Sequence, residues 1–274
     1  MDPTKFAVAV LTRGYQNLQQ YNTLIRRNIS IANNLRSLIG IDILIFHEGN
    51  ILETHQEYIS KFTPTLNLKF ICIKEHAFKE EKRDVYFFEP TKAFGLNYRH
   101  MCSFWFADFW NFVADYEAIL RIDEDCAIEF NIPELFYILS NKTAVYGAWT
   151  RDHDFVTHGL NKFTQQFIKD NCEIQPSQQI INHRPSGPYT NVLGLNLKRL
   201  RENTLVQKYI EKVKQLDYIY VFRWGDLPLW GEVLYYLCNP TSYLKYDKIK
   251  YFHGSHNFHV GGDPNKLNLK KMTV

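Results

Sequence analysis

The sequence predicts an α/β fold, and three observations carry that expectation. Short apolar runs at Phe6–Leu11 and Ile41–Phe46 have the length of buried strands, and the stretch between them has apolar residues at helical spacing. A third strand at Leu66–Ile73 completes a β-α-β-α-β opening, whose crossovers are right-handed. A later run, Ala118–Ile122, ends abruptly in Asp123, Glu124 and Asp125. The carboxyl edge of such a sheet is where α/β folds bind ligands.

After the first strand, Thr12-Arg13-Gly14 turns the chain into a helix from about Leu18 to Leu38, with Leu24, Ile25, Ile31 and Leu35 on its apolar stripe. The second strand ends in His47-Glu48-Gly49, and a short helix follows near Glu53–Lys61. Lys74–Pro90 is charged and reads as a solvated loop, after which Lys92–Ala114 resumes a helical pattern dense in aromatics. Beyond Asp125 the pattern predicts a short strand at Ile128–Phe130, a helix at Pro133–Leu139 with Pro in its first turn, and a strand at Val145–Trp149. Gly159–Asp170 reads as a helix, Asn171–Pro188 as a polar loop, Thr190–Leu195 as a strand and Leu197–Leu216 as one long amphipathic helix. Asp226 stands as an N-cap before a helix over Pro228–Leu237. No repeat or linker divides the chain, so 1–274 is expected to form one domain.

Composition narrows the function. A net charge of +3, from 32 basic and 29 acidic residues, leaves no footprint for nucleic acid or an anionic membrane. No basic-then-apolar start occurs, nor any apolar run near the roughly 18–20 residues that span a bilayer, so a soluble, cytoplasmic protein without a transmembrane segment is expected. The five cysteines, Cys72, Cys102, Cys126, Cys172 and Cys238, are scattered without a CxxC pair and read as reduced thiols. The absence of GxxxxGK[ST], GxGxxG and GxSxG disfavours a P-loop kinase, a dinucleotide dehydrogenase and an α/β-hydrolase. With 17 Tyr and 20 Phe the chain is rich in rings of the kind that line carbohydrate and nucleoside pockets, as well as cores.

The acidic triplet carries the chemistry. Strand alternation would put Asp123 and Asp125 on one face and Glu124 on the other. Two like charges on one face repel, and Mn²⁺ or Mg²⁺ resolves that repulsion while neutralising a ligand's phosphates. The plain alternative is an acidic loop solvated after a strand. One of three tail histidines, His253, His256 and His259, would complete the ion's coordination.

The order of Leu11-Thr12-Arg13, Tyr98-Arg99-His100-Met101-Cys102, Arg121–Asp125, Tyr146-Gly147, Arg223-Trp224-Gly225-Asp226 and Tyr251-Phe252-His253 resembles the fungal α-1,2-mannosyltransferase family over nearly the whole chain. That resemblance implies a GT-A fold, with a central mixed, mostly parallel sheet flanked by helices. It also implies GDP-mannose and Mn²⁺ as donor and metal, a nucleotide-binding half over 1–125 and an acceptor-binding half over 126–274. It assigns Asp123, Asp125 and His253 to the metal, places Arg13 near the nucleotide, and puts Tyr98 and Arg99 along the donor pocket. Two departures stand out. The segment Tyr189–Gly194 keeps Asn191 but lacks the family's carboxylate, and no membrane anchor is expected from these residues.

The expectation is therefore a metal-dependent glycosyltransferase moving a sugar from a GDP- or UDP-sugar to a hydroxyl of a carbohydrate or glycoprotein glycan. Asp226 is the first candidate to orient or deprotonate that hydroxyl, and Asp152 the second; a plain helix cap is the alternative role for Asp226. Without an acid at Tyr189–Gly194, inversion or a front-face retaining route without a covalent intermediate is expected. The rival readings are a non-catalytic sugar- or nucleotide-binding domain and a nucleotide-sugar hydrolase.

Overall fold

The structure, a computed structural model, describes residues 5–35, 40–171 and 183–261. The apolar runs become strands because both their faces are covered. In β1 (Phe6–Leu11) the alternation sends Ala7 and Ala9 to one core and Phe6 and Val8 to the other. With α1 (Asn22–Leu35), β2 (Asp42–His47), α2 (Glu53–Lys61) and β3 (Asn67–Cys72), the predicted β-α-β-α-β opening is present and its strands pair in parallel.

The chain continues through α3 (Leu96–Ser103), β4 (Ala118–Ile122), β5 (Cys126–Ile128), α4 (Ile132–Leu139), β6 (Ala144–Tyr146), β7 (Trp149–Arg151) and α5 (Leu160–Asp170). It ends with β8 (Ser186–Pro188), β9 (Val192–Asn196), α6 (Leu197–Glu202), α7 (Thr204–Gln215), α8 (Tyr218–Phe222), α9 (Asp226–Glu232), β10 (Tyr243–Lys245), β11 (Tyr251–His253) and β12 (Phe258–Val260). The main sheet has seven strands in the order β10-β6-β9-β4-β1-β2-β3, and β9 alone runs antiparallel to its neighbours. This is the mixed, mostly parallel sheet expected.

Several elements differ from expectation, each for a tertiary reason. The first helix begins as a 3-10 turn at Leu18–Tyr21, and residues 36–38 of its expected span lie outside the described residues. The Lys92–Ala114 stretch widens into a π-turn at Phe104–Asp108, where the carbonyl of Trp105 accepts from Trp230 Nε1 at 3.1 Å. The helix expected over 197–216 breaks at Asn203, whose carboxamide caps α7 by accepting from the amides of Leu205 and Val206. The strand expected at Val145–Trp149 is two strands, β6 in the main sheet and β7 paired with β8, and the strand expected at Ile128–Phe130 is β5, ending at Ile128. The Lys74–Pro90 loop holds 3-10 turns at Glu80–Asp84 and Glu89–Thr91. Most of the Asn171–Pro188 loop, Cys172 included, lies outside the described residues.

Two glycines set how α9 seats. A Cβ on Gly231 would lie 1.7 Å from the Ser186 carbonyl oxygen, and one on Gly187 would lie 2.0 Å from that of Leu227. Only glycine lets β8 and α9 approach so closely, and that approach puts the start of α9 beside the carboxyl end of β4.

Candidate active site

Strand β4 stops at Ile122 because its end is claimed from below. Arg27 of α1, fully buried, donates from Nε to the Ile122 carbonyl at 2.9 Å and from Nη2 to the Ala9 carbonyl at 3.1 Å. Burial pushes this guanidinium down to about 9, against the pull of nearby Cys126, Asp123 and Glu124. Residues 123–125 then form a turn, so strand alternation does not govern them. The expectation that Glu124 faces away is corrected: all three acids line one cavity of about 540 Å³.

Each acid has its own partner. Asp123 accepts from Arg121 Nε at 2.7 Å and Nη2 at 3.1 Å, while Arg121 Nη1 reaches Asp226 and its guanidinium lies 4.5 Å from the Trp105 ring centre. Burial pushes the Asp123 carboxyl up, and Arg121 opposes that. Glu124 accepts from Thr12 Oγ1 at 2.7 Å and Tyr15 Oη at 2.8 Å; burial raises it too, against those bonds. Asp125 accepts from the Ser255 amide at 2.8 Å and lies 3.4 Å from His253 Nε2. Burial would raise Asp125, but His253 and Ser255 outweigh it and hold the carboxyl well below its ordinary value.

His253 arrives through the small sheet β12-β11-β5. Antiparallel pairing puts His253 opposite Cys126, and the Gly254 amide donates to the Asp125 carbonyl at 2.8 Å. His253 Nδ1 lies 2.9 Å from Tyr189 Oη and 3.0 Å from His256 Nδ1, and Tyr189 Oη lies 2.8 Å from His256 Nδ1. His259 pairs with Phe252 on the other face of the hairpin, so the fold brings His253 and His256 to the acids and not His259.

The donor set suits a hard divalent cation. With bonds of about 2.0–2.5 Å, two donors at right angles on one ion lie about 3–3.5 Å apart, which is the spacing of Asp125 and His253. Cys126 Sγ also lies within 4.8 Å of both, but a soft sulfur is a poor match for a hard divalent cation, which prefers oxygen ligands. Asp123, expected as a ligand, is engaged by Arg121 at the edge of this pair.

A second cavity of about 810 Å³ adjoins the first, and the two share Met101, Arg121 and Asp123. Asp152, Asp226, Tyr98, Asn191 and His253 line it. Asp226 is not an N-cap: Gly225 holds that position, Asp226 is the first helical residue, and its side chain turns to Arg121. Its Oδ2 is taken, but Oδ1 accepts no hydrogen bond among the described residues. Asp152 has both oxygens engaged, by Arg223 and by the His153 amide at 2.9 Å. Tyr98 Oη accepts from Arg223 Nη2 at 2.8 Å at the rim.

Arg99, expected along the donor pocket, lies elsewhere. It is fully buried, donates to the carbonyls of Thr91, Phe94 and Tyr220, and lies against the Phe87 ring, lining neither cavity. Arg13 is exposed at the edge of the first cavity, beside Tyr15. Sequence reasoning missed Glu124, Tyr15, Tyr189 and Arg27. A basic residue amid the apolar stripe of α1 was the available signal for Arg27.

No protein-family profile matches the chain, and no curated protein matches it in sequence. Solved structures do match. The mannosyltransferase Ktr4p from S. cerevisiae in complex with GDP superposes with a TM-score of 0.75 at 15% identity, covering 91% of this chain and 71% of that one. The Mn/GDP form of core-mannan synthase A from Aspergillus fumigatus gives 0.74 at 15% identity, covering 91% and 74%. Mouse xyloside xylosyltransferase 1 gives 0.53 at 16% identity, covering 88% and 85%. These likenesses establish the GT-A fold.

Proposed function

We propose that the chain is a metal-dependent glycosyltransferase that moves a sugar from a GDP- or UDP-sugar to a glycan hydroxyl. One observation carries the reading. The Asp125–His253 pair sits at the carboxyl edge of the sheet, where a cavity lined by β1, β4 and the acidic turn meets a larger one. The same fold in a structure holding Mn and GDP supports the choice of metal and nucleotide.

In this reading the first cavity takes the nucleotide, mostly on residues of the 1–125 half, with Arg13 and Tyr15 at its edge. Asp125 and His253 hold Mn²⁺ (or Mg²⁺), with Asp123 beside them. A metal held there would supply the positive charge that neutralises a departing diphosphate. Tyr189, bonded to His253 Nδ1, fixes the ring so that Nε2 faces the ion. The larger cavity takes the sugar and the acceptor, with Tyr98 at its rim. Asp226 has the free oxygen that Asp152 lacks, so it is the better group to orient the acceptor hydroxyl. The segment 189–194 still offers no carboxylate, which supports inversion or front-face retention, and product-anomer analysis by NMR separates these. Free cysteines at 72, 102, 126 and 238 suit a reducing, cytoplasmic setting, and no helix among the described residues is long and apolar enough to cross a membrane.

A non-catalytic binding domain is the second reading, favoured by the arginine partners already on Asp226 and Asp152. Thermal shift with GDP, UDP and their sugars, with and without Mn²⁺, tests the site first; a ligand at about 100 times its Kd stabilises by about 2.7 kcal/mol. No metal-dependent shift with any nucleotide removes the proposal. Binding without transfer leaves the binding domain, and turnover indifferent to any acceptor indicates a hydrolase.

A further inference from the structure

A third cavity, of about 310 Å³, shares Trp149 with the larger cavity. Its lining is Tyr146, Trp149, His183, Ser186, Tyr235 and Tyr243, and Trp149 alone lines both spaces. The volume is at the small end of ligand pockets, enough for a compact ring and not for a nucleotide sugar. Among the described residues no Asp, Glu, Lys or Arg lines it, which speaks against a phosphate or a charged ligand.

The walls are built rather than incidental. Trp149 Nε1 donates to Ser186 Oγ at 2.8 Å, which fixes the indole across the β7–β8 pair. Trp149 packs at 5.3 Å on Tyr146 and at 6.1 Å, nearly parallel, beside Tyr243. Tyr146 is 7% exposed, and neither its hydroxyl nor that of Tyr243 makes a hydrogen bond among the described residues. Those hydroxyls are left open to a ligand's own hydroxyl groups. Aromatic faces with a few hydroxyls and no charge fit the apolar face and hydroxyl rim of a neutral pyranose.

We infer that this cavity is a second saccharide subsite, which holds the unit of an acceptor chain next to the one placed for reaction, with Trp149 as the shared wall. The inference rests on the transferase reading for the word acceptor, but the binding it predicts does not require transfer. A further ring on such faces contributes on the order of tenfold in affinity.

The test is titration of the full chain by NMR with mannotriose and maltotriose, each against its methyl monosaccharide, with GDP and Mn²⁺ affinity measured separately. At least one trimer should bind about tenfold more tightly than its monosaccharide. Tyr243→Ala should erase most of that advantage while leaving GDP affinity unchanged. Tyr243→Leu, which fills the space without a ring, should act alike if the alanine variant folds poorly. Trimers that bind no better than monosaccharides, or an advantage that survives loss of the Tyr243 ring, overturns the subsite. A retained trimer advantage in a protein that binds no nucleotide supports the subsite and rejects the transferase reading instead.

Discussion

Arg121→Met tests how the site is held together. Arg121 is 5% exposed, bonds both oxygens of Asp123, reaches Asp226 and rests on Trp105. Methionine keeps much of the stem packing but removes the cation that bridges two buried carboxylates. Surface ion pairs contribute about 0–1 kcal/mol, whereas removing one partner of a buried pair costs about 3–5 kcal/mol. For a chain of this length that loss lowers Tm by about 6–20 °C. The pH dependence gives the mechanism its own signature. Burial already pushes Asp123 up and Arg121 restrains it, so the variant's carboxyl rises further above its unfolded value. A group raised in this way binds more protons folded than unfolded, and its stability contribution falls as pH rises. The deficit, read by urea unfolding, should therefore be largest at about pH 7 and shrink toward about pH 5. A loss below about 1 kcal/mol, or one that does not change with pH, would refute the triad as the element that organises the site.

Asp125→Asn should fold normally yet weaken Mn²⁺ binding by at least about 10–100-fold in calorimetry, since even a group that only orients a ligand has effects of that size. His253→Gln should weaken Mn²⁺ similarly, while His256→Gln should have a smaller effect; the reverse order would move the metal along the hairpin. Asp226→Asn should lose about 10²–10⁴ in transfer rate with donor binding kept, and more than Asp152→Asn loses; near-normal turnover would reduce Asp226 to a partner of Arg121. His100 is pushed down to about 4, chiefly by burial and then by Arg83 and Lys82. Its folded value is below the unfolded one, so stability should fall as pH drops from about 6.5 to about 4, and His100→Gln should flatten that slope in urea melts.

The strands were legible where burial is two-sided. Val8 and Leu44 sit in runs with no polar interruption because helices cover both faces of the sheet, and the boundaries read from those runs hold within a residue or two. The later elements were harder because distant groups set their ends. Nothing between residues 92 and 114 announces that Trp230 will bond the Trp105 carbonyl, which lies in the π-turn there. Asn203 was different: an Asn followed three residues later by an apolar helical face is a capping pattern, and the uninterrupted amphipathic stripe hid it.

At the site, residue type was legible and partnership was not. A matched motif places an arginine on a helix or a strand but says nothing of what its five donors meet. Arg99 and Arg121 both lie in such motifs and have opposite fates. Arg99 spends its guanidinium on three main-chain carbonyls and ties the Thr91–Phe94 turn to α8, whereas Arg121 meets two carboxylates and so sets which acids remain free for a ligand. The difference lies in strand order. β4 is central and ends where α9 begins, so Arg121 faces acids delivered by both, while α3 presents Arg99 to the carbonyls of the Thr91–Phe94 turn and of α8. By the same logic, His253 reaches Asp125 only because β11 pairs with β5 in the register that sets it opposite Cys126. A shift of one residue in that pairing would turn His253 to the other face and leave Asp125 without its imidazole.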